Sequence, residues 1–257
     1  MMRMAGLLEV CADSVCSAVN AARGGADRIE LCSALPLGGL SPDEDLFCMV
    51  RERVDIPVRV LLRPRAGDFL YDEDEFELLC RQASRFAGLG ADGIVIGMLN
   101  PDGTLDTERM SALMACGDGC GVTLHRAFDV CRDAHEALRT AKKLGVDTIL
   151  TSGQQARCAD GAPLLRELVS ESGEGLRILI GGGVNADVIR ALAPQTGADA
   201  FHLSAKAAVP SGMEFRRENV PMGIPGLNEF ELLRCDAASV RAAREALDAV
   251  CTARKEN

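Results

Sequence analysis

Short apolar runs recur along the chain, each followed by a polar turn and then by a stretch whose apolar positions fall three and four apart. The runs cover 7–11, 28–32, 58–62, 93–97, 122–125, 148–151, 177–181 and 200–203. Their length and their Val and Ile content predict strands, whereas the intervening stretches, among them 14–23, 73–89, 133–144 and 163–172, carry the period of amphipathic helices. Asp13 or Ser14 is placed to cap the first helix, and Ser41 the second, with Pro42 at its first position. Eight strand-like runs alternating with helices imply repeated βα units.

An internal echo sharpens this reading. Gly25-Ala26-Asp27, Gly90-Ala91-Asp92, Gly145-Val146-Asp147 and Gly197-Ala198-Asp199 each stand just before an even-numbered run, at spacings of 65, 55 and 52 residues. A glycine there suits the left-handed residue that ends a helix. Four pairs of βα units make eight, the number that closes a (β/α)8 TIM barrel of class α/β. A doubly wound open sheet is the rival, but no Gly-x-Gly-x-x-Gly follows the first run. Residues 1–257 are therefore read as one TIM-barrel domain. Within it, 205–235 holds Pro210, Gly212, Pro221, Gly223, Pro225 and Gly226 without a clear period, which suits a lid or a subunit contact. A final helix over 237–252 closes the shell.

Composition narrows the function classes. The 257 residues carry a formal net charge of −10, contain no Trp and contain one Tyr, a poor basis for holding phosphate backbones or stacking bases. No nucleic-acid partner is expected. Glu9 falls too early for the apolar region of a secretory leader, and no stretch approaches the roughly 20 apolar residues that span a bilayer. Eleven cysteines, an odd number without a regular framework, read as mostly buried free thiols in a reducing cytoplasm. Met213, Phe215, Met222, Ile224, Leu227 and Phe230 lie in the aperiodic segment; exposed together they would favour a homo-oligomer, most simply a twofold dimer.

Alternation along the runs selects the residues that carry chemistry. With Leu8, Val10, Ile29 and Leu31 facing helices, Glu9, Cys11, Glu30 and Cys32 turn into the barrel. Arg63, Thr123, His125, His202 and Ser204 follow by the same parity. Buried carboxylates need partners, so Glu9 and Glu30 are expected to share Arg63 or its neighbours. Polar groups gathered at the strands' C-terminal ends match the place where barrel enzymes keep their sites. Cys11 and Cys32, ending adjacent strands, suit a cuprous ion, which prefers sulfur. There is no CxxC, and Cys116 with Cys120 lacks a second pair. Gly181-Gly182-Gly183 and Ser204 suit an anion held by backbone N–H groups, aided by Asn185 capping a short helix over 187–192. Lys206 alone lies near a strand end, which gives little support to Schiff-base chemistry.

Taken together, several motifs make the chain resemble the CutC family, described as copper homeostasis proteins. They include Glu9-Val10-Cys11-x-Asp13-Ser14, Arg28-Ile29-Glu30-Leu31-Cys32-Ser33, Arg63-Pro64-Arg65-x-Gly67-Asp68-Phe69-x-Tyr71, His125-Arg126-Ala127-Phe128-Asp129 and His202-x-Ser204-Ala205. The likeness runs from residue 7 to about 223. Ser41, Leu124 and Leu203 depart from a usual threonine, a usual phenylalanine and a frequent cysteine. The resemblance implies a cytoplasmic, commonly oligomeric barrel with cuprous ligands at Cys11 and Cys32. Two functions stay open at this point. One is copper(I) binding without turnover. The other is an enzyme acting on a small anionic, possibly phosphorylated, metabolite. In the enzyme reading Glu9, Glu30, Arg63, His125, Asp129 and His202 form the catalytic set, Arg65 helps neutralise charge, and Asp129 orients His125 or meets substrate.

Overall fold

The computed structural model describes residues 6–217, 220, 223–224 and 228–256. Eight parallel strands close into a barrel in chain order: β1 (Leu7–Ala12), β2 (Arg28–Leu31), β3 (Val58–Leu61), β4 (Gly93–Ile96), β5 (Gly121–Leu124), β6 (Thr148–Thr151), β7 (Arg177–Ile180) and β8 (Ala200–Leu203), with β8 pairing back onto β1. Around them stand α1 (Val15–Gly24), α2 (Glu44–Arg51), α3 (Glu73–Gly88), α4 (Thr107–Cys116), α5 (Ala134–Leu144), α6 (Ala162–Ser172) and α7 (Ala186–Thr196). The (β/α)8 barrel expected from the periodicity is the fold. Each strand sorts its side chains by parity. Leu8, Val10, Ile29, Leu31, Ile94, Ile96, Phe201 and Leu203 join the core shared with the helices. Cys32, Leu61 and Val95 form one separate apolar cluster, and Leu150, Leu179 and Ala200 another, on the barrel's inner face.

The Gly-Ala-Asp echo has two physical parts. Gly25, Gly145 and Gly197 are left-handed caps of α1, α5 and α7, and Gly90 takes the same conformation one residue beyond the α3 cap. Three of the aspartates then clip the turn to the preceding strand. Leu8, Val58 and Val122 each donate their amide to the carboxylate of Asp27, Asp92 and Asp147, at 2.7, 2.8 and 2.7 Å. Each aspartate amide donates in return to the carbonyl of the same residue. The Asp199 carboxylate accepts no such amide among the described residues and lies 3.6 Å from Arg177.

Local expectations are met unevenly. Ser14 caps α1, accepting from the Ser17 amide, and Asn185 caps α7, accepting from Val188 at 3.0 Å. Asp43, not Ser41, caps α2. The Ser41 hydroxyl instead accepts from the Arg63 amide at 2.9 Å and donates to Gln82 at 2.8 Å, so it pins the end of β3. α7 runs past the expected stop at 192, through Pro194 to Thr196. The ends of the 205–235 segment are also more regular than their aperiodic sequence suggests. β9 (Lys206–Pro210) pairs antiparallel with β10 (Glu231–Cys235), and α8 (Ala237–Glu256) then packs against α7 and α1. Every residue of β9 is exposed, so no inward–outward alternation marked it in the sequence. Met222 and Leu227 lie outside the described residues.

Candidate functional site

The strand register decides who meets whom inside the barrel. Glu9 sits opposite Arg28 on β2 and opposite His202 on β8. Its fully buried carboxylate accepts from Arg28 Nε at 2.5 Å and lies 2.8 Å from His202 Nδ1. The expectation that Glu9 and Glu30 share Arg63 or its neighbours is thus corrected, since the partner of Glu9 is Arg28. Glu30 pairs in the ladder with Arg59, and Arg63 is four residues further along, about 13 Å at the usual rise of a strand. There the Arg63 guanidinium donates to the carbonyls of Leu37, Gly39 and Gly67 at 3.1, 3.1 and 3.0 Å. Arg28 has the parity of Glu30 in the same run, so the signal that it faces inward was already in the sequence.

Burial would raise the Glu9 carboxyl, but the charge of Arg28 and the contacts with His202 outweigh it and hold the pKa at about 2. Burial wins at Glu30, which has no ion-pair partner among the described residues and is pushed up to about 7 against the pull of His202. Burial opposes a charged His202. The Cys11 sulfur, within hydrogen-bond reach, and the two carboxylates overcome it and raise the imidazole well above its usual range. Ligand atoms of Glu9, Glu30 and His202 lie within 4.8 Å of one another. Both oxygens of Glu9 are already engaged, however, and this hard N/O set does not match the preference of a cuprous ion.

The two cysteines assigned to metal stand one diagonal apart. Cys11 pairs with Glu30 in the β1–β2 ladder, and Cys32 is two residues beyond Glu30 on the same inward face. Cys32 is fully buried, donates weakly to the Ala12 carbonyl at 3.5 Å, and has its pKa driven well up by burial, then by Cys11, Glu30 and Asp13. Cys11 opens onto a cavity of about 330 Å³ at the C-terminal mouth of the barrel. Glu30, Arg63, His125, His202, Ser204, Gly182 and Gly183 share that wall, so the fold brings most of the expected set together. Among the lining residues that the sequence reading gave no role there are the aromatic Phe69 and the basic Arg126 and Lys206.

Three expectations fail here. Gly181 does not line the cavity, and its amide is already donated to the Thr151 carbonyl at 2.9 Å. Arg65 is taken by Glu75 at 2.5 Å and Asp68 at 3.0 Å. Asp129 does not orient His125. Its carboxylate accepts from Arg126, the Thr151 hydroxyl, the Ser152 amide and hydroxyl, and the Gln154 amide, and so clamps the loop after β6. His125 is set by its own turn: the Ala127 amide donates to Nδ1 at 3.1 Å, and the Phe69 ring lies 4.8 Å away.

Fold and site define a (β/α)8 barrel protein with a buried carboxylate–imidazole–thiol cluster under a basic cavity at its C-terminal mouth. The chain belongs to the CutC family, whose profile matches residues 6–207. A CutC protein of Chromobacterium violaceum is 40% identical over 242 residues, covering 94% of this chain and 98% of that one. The human copper homeostasis protein cutC homolog is 44% identical over 237 residues, covering 91% and 86%. A solved CutC structure from Streptococcus agalactiae superposes with a TM-score of 0.73 at 27% identity, covering 77% of this chain and 98% of that one.

Proposed function

We propose that this protein serves copper homeostasis in a reducing cytoplasm by binding copper(I), as cargo, at Cys11 and Cys32. The observation that carries this reading is the placement of Cys11 on the cavity wall with Cys32 diagonally behind it on the adjacent strand. Two thiolates suit a soft ion, and the cavity offers it an entry path. All eleven cysteines are free, in keeping with a reducing compartment, and the human relative carries a copper homeostasis name. No helix among the described residues is long and apolar enough to cross a membrane. The reading includes a homo-oligomer, supported by Val209, Met213, Phe215, Ile224 and Leu232 standing 41–67% exposed on and beside the β9–β10 ribbon.

Anaerobic titration of the reduced protein with copper(I) tests the ligand assignment. The wild type develops thiolate-to-copper absorption in the ultraviolet, and the folded Cys11→Ser, Cys32→Ser double variant does not. Equal copper binding by that variant overturns the assignment.

A further inference from the structure

Arg63 and His125 are two buried polar side chains on the cavity wall, each with a buried ring or guanidinium nitrogen left without a hydrogen-bond partner. Arg63 is 9% exposed. Its two terminal nitrogens donate three of their four N–H groups to carbonyls, and no carboxylate lies within ion-pair distance among the described residues. Its Nε finds no partner. The guanidinium is thus a buried cation with neutral neighbours, a state that favours an incoming anion.

His125 is 5% exposed, and its tautomer is dictated by the backbone. An amide can only donate, so Nδ1, which receives the Ala127 N–H, carries no proton, and the ring hydrogen sits on Nε2. That Nε2–H is buried and unpartnered. Burial, followed by the charge of Arg63, holds the ring neutral with a pKa of about 3, so His125 meets a ligand as a fixed neutral donor. Phe69 ties the two together, with the Arg63 guanidinium 5.2 Å from its ring centroid and the His125 ring 4.8 Å from it. On the rest of the wall, Glu30 is the one carboxylate among the described residues, against the cationic Lys206 and an Arg126 paired to Asp129.

We propose that this cavity binds a small organic carboxylate bearing a second oxygen beside the carboxyl group, with Arg63 Nε taking the carboxylate and His125 Nε2–H donating to the neighbouring oxygen. Two single N–H donors match one carboxylate oxygen and one adjacent carbonyl or hydroxyl oxygen better than they match a tetrahedral dianion. A volume of about 330 Å³ is at the small end of ligand cavities and admits a 2-oxo or 2-hydroxy acid with room to spare. This site stands apart from the copper reading, since it uses neither thiol.

The test uses copper-free, reduced, full-length protein labelled with 15N at histidine, and pyruvate and inorganic phosphate as probes. Without probe, His125 gives the signature of an Nε2–H tautomer across the neutral range. Millimolar pyruvate shifts the His125 Nε2 resonance saturably, and Arg63→Gln weakens that response at least tenfold while the His125 tautomer signature persists. If Arg63→Gln does not fold, the wild-type titration with pyruvate and phosphate decides alone. A His125 resonance unmoved by pyruvate, or moved by phosphate and not by pyruvate, overturns the assignment. Neither result bears on copper binding at the thiols.

Discussion

Arg59 reaches from β3 across the barrel floor to Asp147 in the turn before β6, its Nη1 lying 2.7 Å from Oδ1 and its Nη2 3.0 Å from Oδ2. The intervening strands make room for it. Gly93 pairs in the ladder with Arg59 and Gly121 pairs with Gly93, and a Cβ at either would stand 2.8 or 2.6 Å from the Arg59 side chain. Thr123 accepts a further bond from the guanidinium at 2.7 Å, so the cation is satisfied inside a closed sheet.

Asp147→Asn leaves the Arg59 cation without its counter-charge. The expected loss is about 1–3 kcal/mol, set below the fully buried case because Asp147 keeps 37% of its side chain exposed. Burial alone would raise the Asp147 carboxyl, but hydrogen bonds and charge from Arg59 win and lower it. A lowered folded-state pKa gives stability that is complete above the unfolded value of about 4 and is lost as pH falls through the folded value. Urea unfolding from pH 7 down to 3 should therefore show the gap between wild type and variant closing at the acid end. A gap constant with pH would mean that the ion pair is not its source.

The aspartate clips make a graded prediction. Asp27→Ala and Asp92→Ala remove the acceptors of the Leu8 and Val58 amides, at a cost of about 1–3 kcal/mol each. Asp199→Ala removes only a longer contact to Arg177 and should cost less than either. Chemical denaturation of the three variants measures the order. Equal costs would reduce the clip to an incidental feature of the turn.

Self-association is expected to run through the ribbon. A two-stranded ribbon is marginal by itself, and Met213 and Phe215 beside it are 59% and 67% exposed. Light scattering on the eluted protein should give a dimer or larger at micromolar concentration. Replacing both residues with glutamate should shift it toward monomer without loss of helical circular dichroism. A monomeric wild type, or an assembly indifferent to the double change, would rule out this surface.

The site was legible in part. Parity along the strands selected Glu9, Cys11, Glu30, His125 and His202, because a side chain's face depends only on its place in the run. Parity says nothing of height along the barrel. It therefore allows Arg63 or its neighbours as partners of Glu9, a place that register gives to Arg28. Asp129 and Arg65 are polar residues beside the mouth, and only their hydrogen-bond partners show that they are already engaged.

Local chemistry, repeated often enough, determined the barrel from the sequence alone. Four glycine–aspartate turns and eight apolar runs each carry a short-range preference, and their regular spacing leaves closure at eight strands as the consistent arrangement. Tertiary structure decided what depends on register between strands distant in sequence. It set the Glu9–Arg28–His202 cluster, the path of Arg59 over two glycines, and the unpaired donors of Arg63 and His125. The physical reason is range. A turn or cap is settled within a few residues, whereas the partner of a buried charge is whichever group the closed sheet brings to the same height.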